Sequence, residues 1–129
     1  MQDNRYSDIN SLTGEVIGAA IEVHKTLGPG LLESIYEECL CKELELRAIP
    51  YKRQQELPVE YKGFKLNSMY RLDIVVAKEL IVELKACDSI QPIHEAQLLT
   101  YLKLMGIKVD LLINFNVPIL KDGIKRLVN

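Results

Sequence analysis

Apolar residues recur every three or four positions through the first third of the chain, which predicts two consecutive helices. The first helix should run from about residue 12 to residue 27, with Ser11 or Thr13 as its cap. The break Gly28-Pro29-Gly30 separates it from a second helix at about residues 31–47. The predicted buried faces are Val16, Ala20, Val23 and Leu27 on the first helix and Leu32, Ile35, Cys39, Leu40 and Leu44 on the second.

The pattern changes to alternation in the middle of the chain, which predicts an antiparallel meander of strands. The first strand should cover about residues 52–61, and Pro58 within it indicates a sheet edge. A turn at Lys62-Gly63 then leads to a return strand, with a bulge or short loop at Asn67-Ser68. This meander leads into a hairpin at residues 70–86, around which the rest of the chain is organised.

The hairpin carries three charged residues within strands rich in Ile and Val: Asp73, Glu83 and Lys85. A charge in such a strand is costly unless it is paired, bound to a metal or exposed in a cleft. Glu83 and Lys85 are two positions apart, so they point to the same face of a strand. If Asp73 joins them, the hairpin offers a site for a hard cation beside a positive charge, which suits phosphate ester chemistry.

The length of the hairpin loop decides whether these three charges share a face. A two-residue loop would pair Asp73 with Leu84 and place the two carboxylates on opposite faces. A three-residue loop, Ala77-Lys78-Glu79, would instead pair Asp73 with Glu83. Because the usual two-residue signals Asn-Gly and Asp-Gly are absent here, we predict the odd-length loop or a bulge of the same parity.

A third helix is predicted at about residues 91–105, between Pro92 in its first turn and Gly106 at its end. The polar stripe His94, Gln97 and Tyr101 could be a solvated face or part of a site. The apolar run at residues 109–115 predicts a buried strand reached by a parallel crossover, followed by a short closing element. The predicted core contacts of the helix are Ala96, Leu98, Leu99, Leu102 and Met105.

Composition favours a single domain with a substantial core, since 48% of the 129 residues are hydrophobic. We assign residues 1–11 to a lead-in and residues 12–129 to the domain. A formal net charge of −2 provides no strong basic field for nucleic acid. Three cysteines without metal-ligand spacing indicate reduced thiols and a cytoplasmic protein. The polar N-terminus lacks a signal-peptide pattern, and no apolar run approaches the roughly 20 residues that span a membrane.

Two residues of the helical part have alternative interpretations. His24 is expected to be a surface or hydrogen-bonded histidine, although a functional role is the alternative. Glu33 lies in the first turn of the second helix, where the helix dipole alone favours an acid by about 0.3–1 kcal/mol. Spacing alone does not distinguish that structural role from a functional one.

The chain resembles the PD-(D/E)XK nuclease superfamily in having Asp73, nine intervening residues and then Glu83-Leu84-Lys85 on the central hairpin. Gly30, Glu33 and Tyr36 form a G-x-x-E-x-x-Y pattern, similar to that of the small bacterial proteins named for this signature. The resemblance covers about residues 12–128 and implies an α/β, restriction-endonuclease-like fold. Such a fold has an αβββαβ core and a mixed central sheet flanked by helices. Leu72 stands where the superfamily's name has proline.

The resemblance also implies a role for each matching residue. Glu33, Asp73 and Glu83 would hold Mg²⁺ or Mn²⁺, and Lys85 would orient or activate the attacking water. These four residues would be the catalytic set. Gln97 and Tyr101, a Gln-x-x-x-Tyr pair similar to that of exonuclease-type members, would contact nucleic acid.

The expected function is therefore a metal-dependent nuclease that cleaves phosphodiester bonds, with DNA favoured as the substrate and RNA as the alternative. The first alternative is a non-catalytic nucleic-acid-binding or protein-interaction module that retains the fold. The second is a purely structural ion pair between Glu83 and Lys85, worth about 0–1 kcal/mol. Because so small a chain has little surface to hold DNA, a homodimer or a partner protein could supply further contacts.

Overall fold

The computed structural model describes residues 8–129, which fold into helices on both sides of a five-stranded mixed sheet. The predicted αβββαβ order is confirmed, with an extra helix before the strands and an extra strand at the end. The elements are α1 (Ile9–Leu27), α2 (Glu33–Leu46), β1 (Tyr51–Tyr61), β2 (Phe64–Val76), β3 (Leu80–Lys85), α3 (Pro92–Met105), β4 (Val109–Asn114), a 3₁₀ turn (Leu120–Gly123) and β5 (Ile124–Val128).

The sheet has the strand order β1-β2-β3-β4-β5. Neighbouring strands are antiparallel except for β3 and β4, which α3 joins as a parallel crossover. The mixed sheet and the parallel crossover were both predicted. β1 lies at one edge of the sheet, and this explains how it tolerates Pro58, which cannot donate a ladder hydrogen bond.

Each face of the sheet has its own hydrophobic core. The core under α1 and α2 includes Val16, Ala20, Val23, Tyr36, Leu40, Leu44, Ile74, Val76, Val82, Leu84 and Phe115. The core under α3 includes Leu57, Leu72, Val75, Ile81, Leu98, Tyr101, Leu102 and Leu112. Residues of β3 alternate between the two cores, as expected for a strand that is buried on both faces.

The hairpin between β2 and β3 has the predicted three-residue loop, because Val76 pairs with Leu80. Ala77 and Lys78 adopt positive φ angles of 51° and 61° in that loop. The irregularity expected at Asn67-Ser68 is also confirmed. The β1–β2 register changes from Pro58 opposite Met69 to Glu60 opposite Lys65, so β2 carries the extra residues there.

The start of α1 differs from the prediction. The helix begins at Ile9, and the side chain of Asp8 caps it by accepting a hydrogen bond from the Ser11 N–H at 2.8 Å. The predicted caps Ser11 and Thr13 are therefore wrong, since an acid upstream already serves this purpose. The end of the predicted lead-in is helical, and residues 1–7 of the lead-in lie outside the described residues.

The buried faces of α2 and α3 also differ from their predicted positions. Leu32 and Ile35 of the second helix are exposed, and Tyr36 and Cys41 take their places in the core. In α3, Ala96 and Leu99 are exposed, whereas Leu98, Tyr101 and Leu102 are buried. Apolar residues occur on several sides of both helices, so contact with the sheet rather than local periodicity selects the buried side.

Two structural expectations from the sequence hold in the described residues. His24 is buried, and its Nε2 lies 2.8 Å from the Val117 carbonyl oxygen, so the hydrogen-bonded interpretation is confirmed. All three cysteines are free thiols. In the described part of the chain, no helix is both long enough and apolar enough to cross a membrane.

Candidate active site at the end of the central hairpin

Asp73 and Glu83 meet where the β2–β3 ladder ends. The last regular pair is Ile74 with Val82, and at the next position side chains replace the strand-to-strand hydrogen bonds. The Asp73 N–H donates to Oε1 of Glu83 at 2.9 Å, and the Leu84 N–H donates to Oδ2 of Asp73, also at 2.9 Å. The two strands therefore hold both carboxylates in place through the backbone.

The pKa values of both carboxyl groups are raised. Burial is the largest cause for each, and for Glu83 the charge of Asp73 is the next. The Leu84 N–H partly offsets the effect at Asp73, because it stabilises the charged form. Two buried carboxylates this close favour sharing a proton over carrying two charges.

Lys85 supplies the positive charge of this cluster. It follows Glu83 by two residues, is half-buried, and lowers the pKa of Glu83, Asp73 and also Glu33. Its ammonium is therefore within electrostatic reach of all three acids. The Lys85 carbonyl accepts a hydrogen bond from the Phe115 N–H at 2.9 Å, which holds the end of β3 against the end of β4.

Glu33 joins the same cluster from helix α2, whereas the other acids lie on the hairpin. It is the first residue of α2 and retains solvent access. Its pKa is raised by partial burial and then by the charge of Asp73, while Lys85 acts in the opposite direction. The helix start therefore brings a third carboxylate near the hairpin pair.

The other two residues of the G-x-x-E-x-x-Y pattern determine where Glu33 lies. Gly30 has a φ of 93°, which favours glycine, in the loop just before α2. The buried Tyr36 hydroxyl donates to the Gly28 carbonyl at 2.6 Å and accepts from the Leu31 N–H at 3.1 Å. Its ring stacks on Phe115 with 4.4 Å between ring centroids. Tyr36 thus fixes the loop that leads into Glu33.

Sequence reasoning missed Glu37, which is buried one helical turn after Glu33. Its carboxylate accepts hydrogen bonds from Arg53 Nε at 2.6 Å and from Gln54 Nε2 at 2.9 Å. Gln54 has a φ of 54° and lies across the β1–β2 ladder from Asp73. The charge of Glu37 also raises the pKa of Asp73 and of Glu33. The four-residue spacing of Glu33 and Glu37 was the available signal.

The predicted substrate-binding stripe on α3 is only partly formed. Tyr101 is buried, and its pKa is raised by burial and then by the charge of Glu83, so its hydroxyl is within electrostatic reach of the carboxylates. Gln97 is exposed one turn earlier on the same helix. The side chain of His94 is instead engaged in capping its own helix. Its Nδ1 accepts a hydrogen bond from the Gln91 N–H at 3.1 Å and completes the cap of α3.

The donor set fits a hard divalent cation, although it is not a complete cage. Among residues 8–129, no three Asp, Glu, His or Cys side chains already form a metal-binding group. Mg²⁺ in proteins commonly uses one or two carboxylates and retains several waters. Asp73 and Glu83 offer adjacent oxygen ligands whose unfavourable negative charge a cation would neutralise. This chemistry agrees with a Mg²⁺ or Mn²⁺ site.

Comparison with family models places the site in a known context. Residues 10–127 match the model of the PD-(D/E)XK nuclease superfamily, a span that contains every residue of the cluster. No curated protein and no solved structure matched the chain. The match supports a nuclease-type function and agrees with the observed αβββαβ order. With the acid pair and Lys85 at the end of its central hairpin, the chain belongs to the PD-(D/E)XK nuclease superfamily.

Proposed function

We propose that this chain is a metal-dependent nuclease that hydrolyses phosphodiester bonds, with DNA as its expected substrate. We further propose that it falls in the GxxExxY group, on the strength of Gly30, Glu33 and Tyr36. The observation that carries the proposal is the reciprocal backbone bonding of Asp73 and Glu83 beside Lys85. A pair of buried, fixed carboxylates is costly for stability, and cation binding explains why it is present.

In this proposal Asp73 and Glu83 hold the cation, and Glu33 completes its surroundings directly or through water. A bound Mg²⁺ or Mn²⁺ would stabilise negative charge on the phosphoryl oxygens and lower the pKa of a bound water. Lys85 orients the attacking water and stabilises the charge that develops on the phosphate. Its electrostatic effect on all three acids supports this role.

The raised pKa values of the two carboxyl groups link metal binding to pH. Ligand carboxylates must be deprotonated, so a cation that binds Asp73 and Glu83 competes with protons for them. The raised pKa values mean that metal affinity should increase as the pH rises through the neutral range. Activity should show the same dependence, because both carboxylates are needed in the charged form.

The proposed substrate contacts are on α3. The Tyr101 hydroxyl is within electrostatic reach of the carboxylates, and Gln97 lies one turn away on an exposed position. An exposed amide can donate and accept hydrogen bonds, so it suits contacts with the sugar-phosphate backbone. Both residues would border the scissile phosphate without binding the cation.

The direct test is incubation with labelled single- and double-stranded DNA and RNA in the presence of Mn²⁺ or EDTA. Cleavage should require the cation and should be lost in Asp73→Asn, Glu83→Gln and Lys85→Ala. The matched controls are Glu22→Gln and Lys25→Ala, which change exposed charges on α1 and should retain activity. Saturable nucleic-acid binding without cleavage would instead identify a non-catalytic binding module.

A further inference from the structure

The β1–β2 hairpin extends beyond the two cores as an exposed two-stranded ribbon. We call residues 58–71 the ribbon arm, in which every residue from 60 to 71 is exposed. Its large apolar side chains have no core to enter, and Phe64 is 73% exposed. These exposed side chains are Tyr61, Phe64, Leu66, Met69 and Tyr70. An exposed cluster of this kind marks an interaction surface more often than an isolated apolar residue does.

The ribbon arm is also basic in an otherwise acidic chain. It contains three Lys or Arg residues and one Glu, a formal net charge of +2, whereas the whole chain carries −2. Arg71 lies 3.8 Å from Glu56 and is partly neutralised. Lys62 and Lys65 form no ion pair with any residue in the described part of the chain, although Glu60 lies across the ribbon from Lys65. The free positive charge is therefore at the tip.

The same tip presents aromatic rings beside these lysines. Tyr61 pairs directly with Phe64 across the turn, so both rings project from one face of the ribbon. The Lys62 ammonium lies 5.4 Å from the centroid of the Tyr61 ring. Exposed aromatic rings next to cations are the combination that binds unpaired bases and their phosphates together.

The base of the ribbon arm connects to the proposed active site. Tyr70 packs against Tyr101 with ring centroids 5.3 Å apart, and the Tyr101 pKa responds to the charges of Glu83 and Asp73. Phe64 lies nine positions before Asp73 on the same strand, a distance of about 30 Å. A single strand bound at the tip could therefore continue along the arm toward the carboxylates.

We propose that the ribbon arm binds a single-stranded segment of nucleic acid, with Tyr61 and Phe64 stacking on bases and Lys62 and Lys65 contacting phosphates. This inference rests on the proposed nuclease function and specifies that the substrate contains an unpaired region. Exposed rings stack on the faces of unstacked bases, which a single strand offers and the interior of a duplex does not, so single strands are favoured over duplex. A second copy of the chain is a poorer occupant, because two ribbon tips brought together would place like charges side by side.

The test uses the full chain with Asp73→Asn, so that binding can be measured without cleavage. Fluorescence anisotropy with a labelled oligo-dT strand and a duplex of the same length should show preference for the single strand. Tyr61→Ala with Phe64→Ala should weaken single-strand binding about tenfold or more. Lys62→Gln with Lys65→Gln should reduce the salt dependence by about 1.4 in the log–log slope, since each phosphate contact contributes about 0.7.

Matched controls separate the ribbon arm from general surface effects. Leu46→Ala and Ile93→Ala remove exposed apolar side chains elsewhere, and Lys25→Gln removes a charge on α1. These variants should bind like the parent. Phe64→Leu keeps an apolar side chain but loses the ring, so weaker binding by this variant supports stacking. Unchanged binding by every ribbon-arm variant would overturn the proposal.

The remaining outcomes distinguish this proposal from the nuclease assignment. Conversion of a dimer to a monomer by the ribbon-arm variants, seen by size-exclusion chromatography with light scattering, would show a self-association surface and overturn the proposal. Arm-dependent binding by a wild-type chain that never cleaves would support the arm and reject the nuclease function. Cleavage by a chain whose nucleic-acid binding is unchanged in the ribbon-arm variants would support the nuclease function and reject the arm as the binding surface.

Discussion

The main-chain N–H of Asp73 donates a hydrogen bond to the side chain of Glu83, and the residue after Glu83 donates one back to Asp73. Two carboxylates that would normally repel are therefore held together by the backbone of the strands that carry them. Burial then raises the pKa of both groups, and the charge of Asp73 adds to the rise at Glu83.

The carboxylate pair should make stability depend on pH and on divalent cations. A carboxyl with a raised pKa in the folded state contributes full stability below its unfolded pKa, and this stability is lost as pH rises. At about pH 8, Mn²⁺ at ten times its dissociation constant should restore about 1.4 kcal/mol. Thermal melts with Mn²⁺ and with EDTA measure this effect. The melting temperature of Glu83→Gln should not change when Mn²⁺ is added. A wild-type melting temperature that does not change with Mn²⁺ would argue against the site.

Glu37→Gln should shift the pH dependence of metal binding. This substitution removes a negative charge that raises the pKa of Asp73 and Glu33. Those acids should then ionise at lower pH, so the midpoint for Mn²⁺ binding should move to lower pH. The loss of the charged bond to Arg53 should also cost about 1–3 kcal/mol of stability. Manganese titrations across a pH series measure the midpoint, and Glu38→Gln at the neighbouring exposed position is the control.

Tyr36→Phe should loosen the loop that places Glu33. The variant keeps the ring on Phe115 but loses the hydroxyl contacts with Gly28 and Leu31. We expect a loss of about 1–2 kcal/mol in the free energy of unfolding, because the partly buried hydrogen bonds of the loop are lost. Urea denaturation measures this loss, and nuclease assays should show reduced turnover. Tyr51→Phe, which removes an exposed hydroxyl bonded to Glu45, should change stability less.

Gln97→Ala should weaken substrate binding or turnover while leaving folding intact. The side chain is exposed on α3, so its removal creates no cavity and leaves no buried group unpaired. Steady-state cleavage assays should show at least a fewfold loss in kcat/KM, with an unchanged melting temperature. The matched control is Thr100→Ala, an exposed position on the same helix. Equal activity of both variants would remove Gln97 from the proposed substrate contacts.

Asp110 should make a second, separate contribution to pH-dependent stability. It is fully buried in β4, both of its carboxylate oxygens lack hydrogen-bond partners in the described structure, and burial raises its pKa to about 7. Its folded form holds the proton longer than its unfolded form, so stability should fall between about pH 4 and pH 7. Above that pH range, Asp110→Leu should increase the free energy of unfolding by about 1–3 kcal/mol. Urea denaturation at several pH values tests this, with Asp122→Asn as the exposed control.

The sequence by itself determined the order of the elements and the geometry of the central hairpin. Both depend on local signals, namely hydrophobic period, glycine and proline breaks, and loop length. The three-residue loop brings Asp73 opposite Glu83 through strand parity alone, since Val76 must then pair with Leu80.

Tertiary structure decided which helical residues approach the hairpin. Glu33 and Glu37 reach it because α2 packs across the sheet, and the contacts of Glu37 with Arg53 and Gln54 join positions far apart in the sequence. α3 carries apolar residues on several sides, so only packing could select Tyr101 for burial and leave His94 to cap the helix. Helix orientation depends on the combined fit of both cores, which local periodicity does not encode.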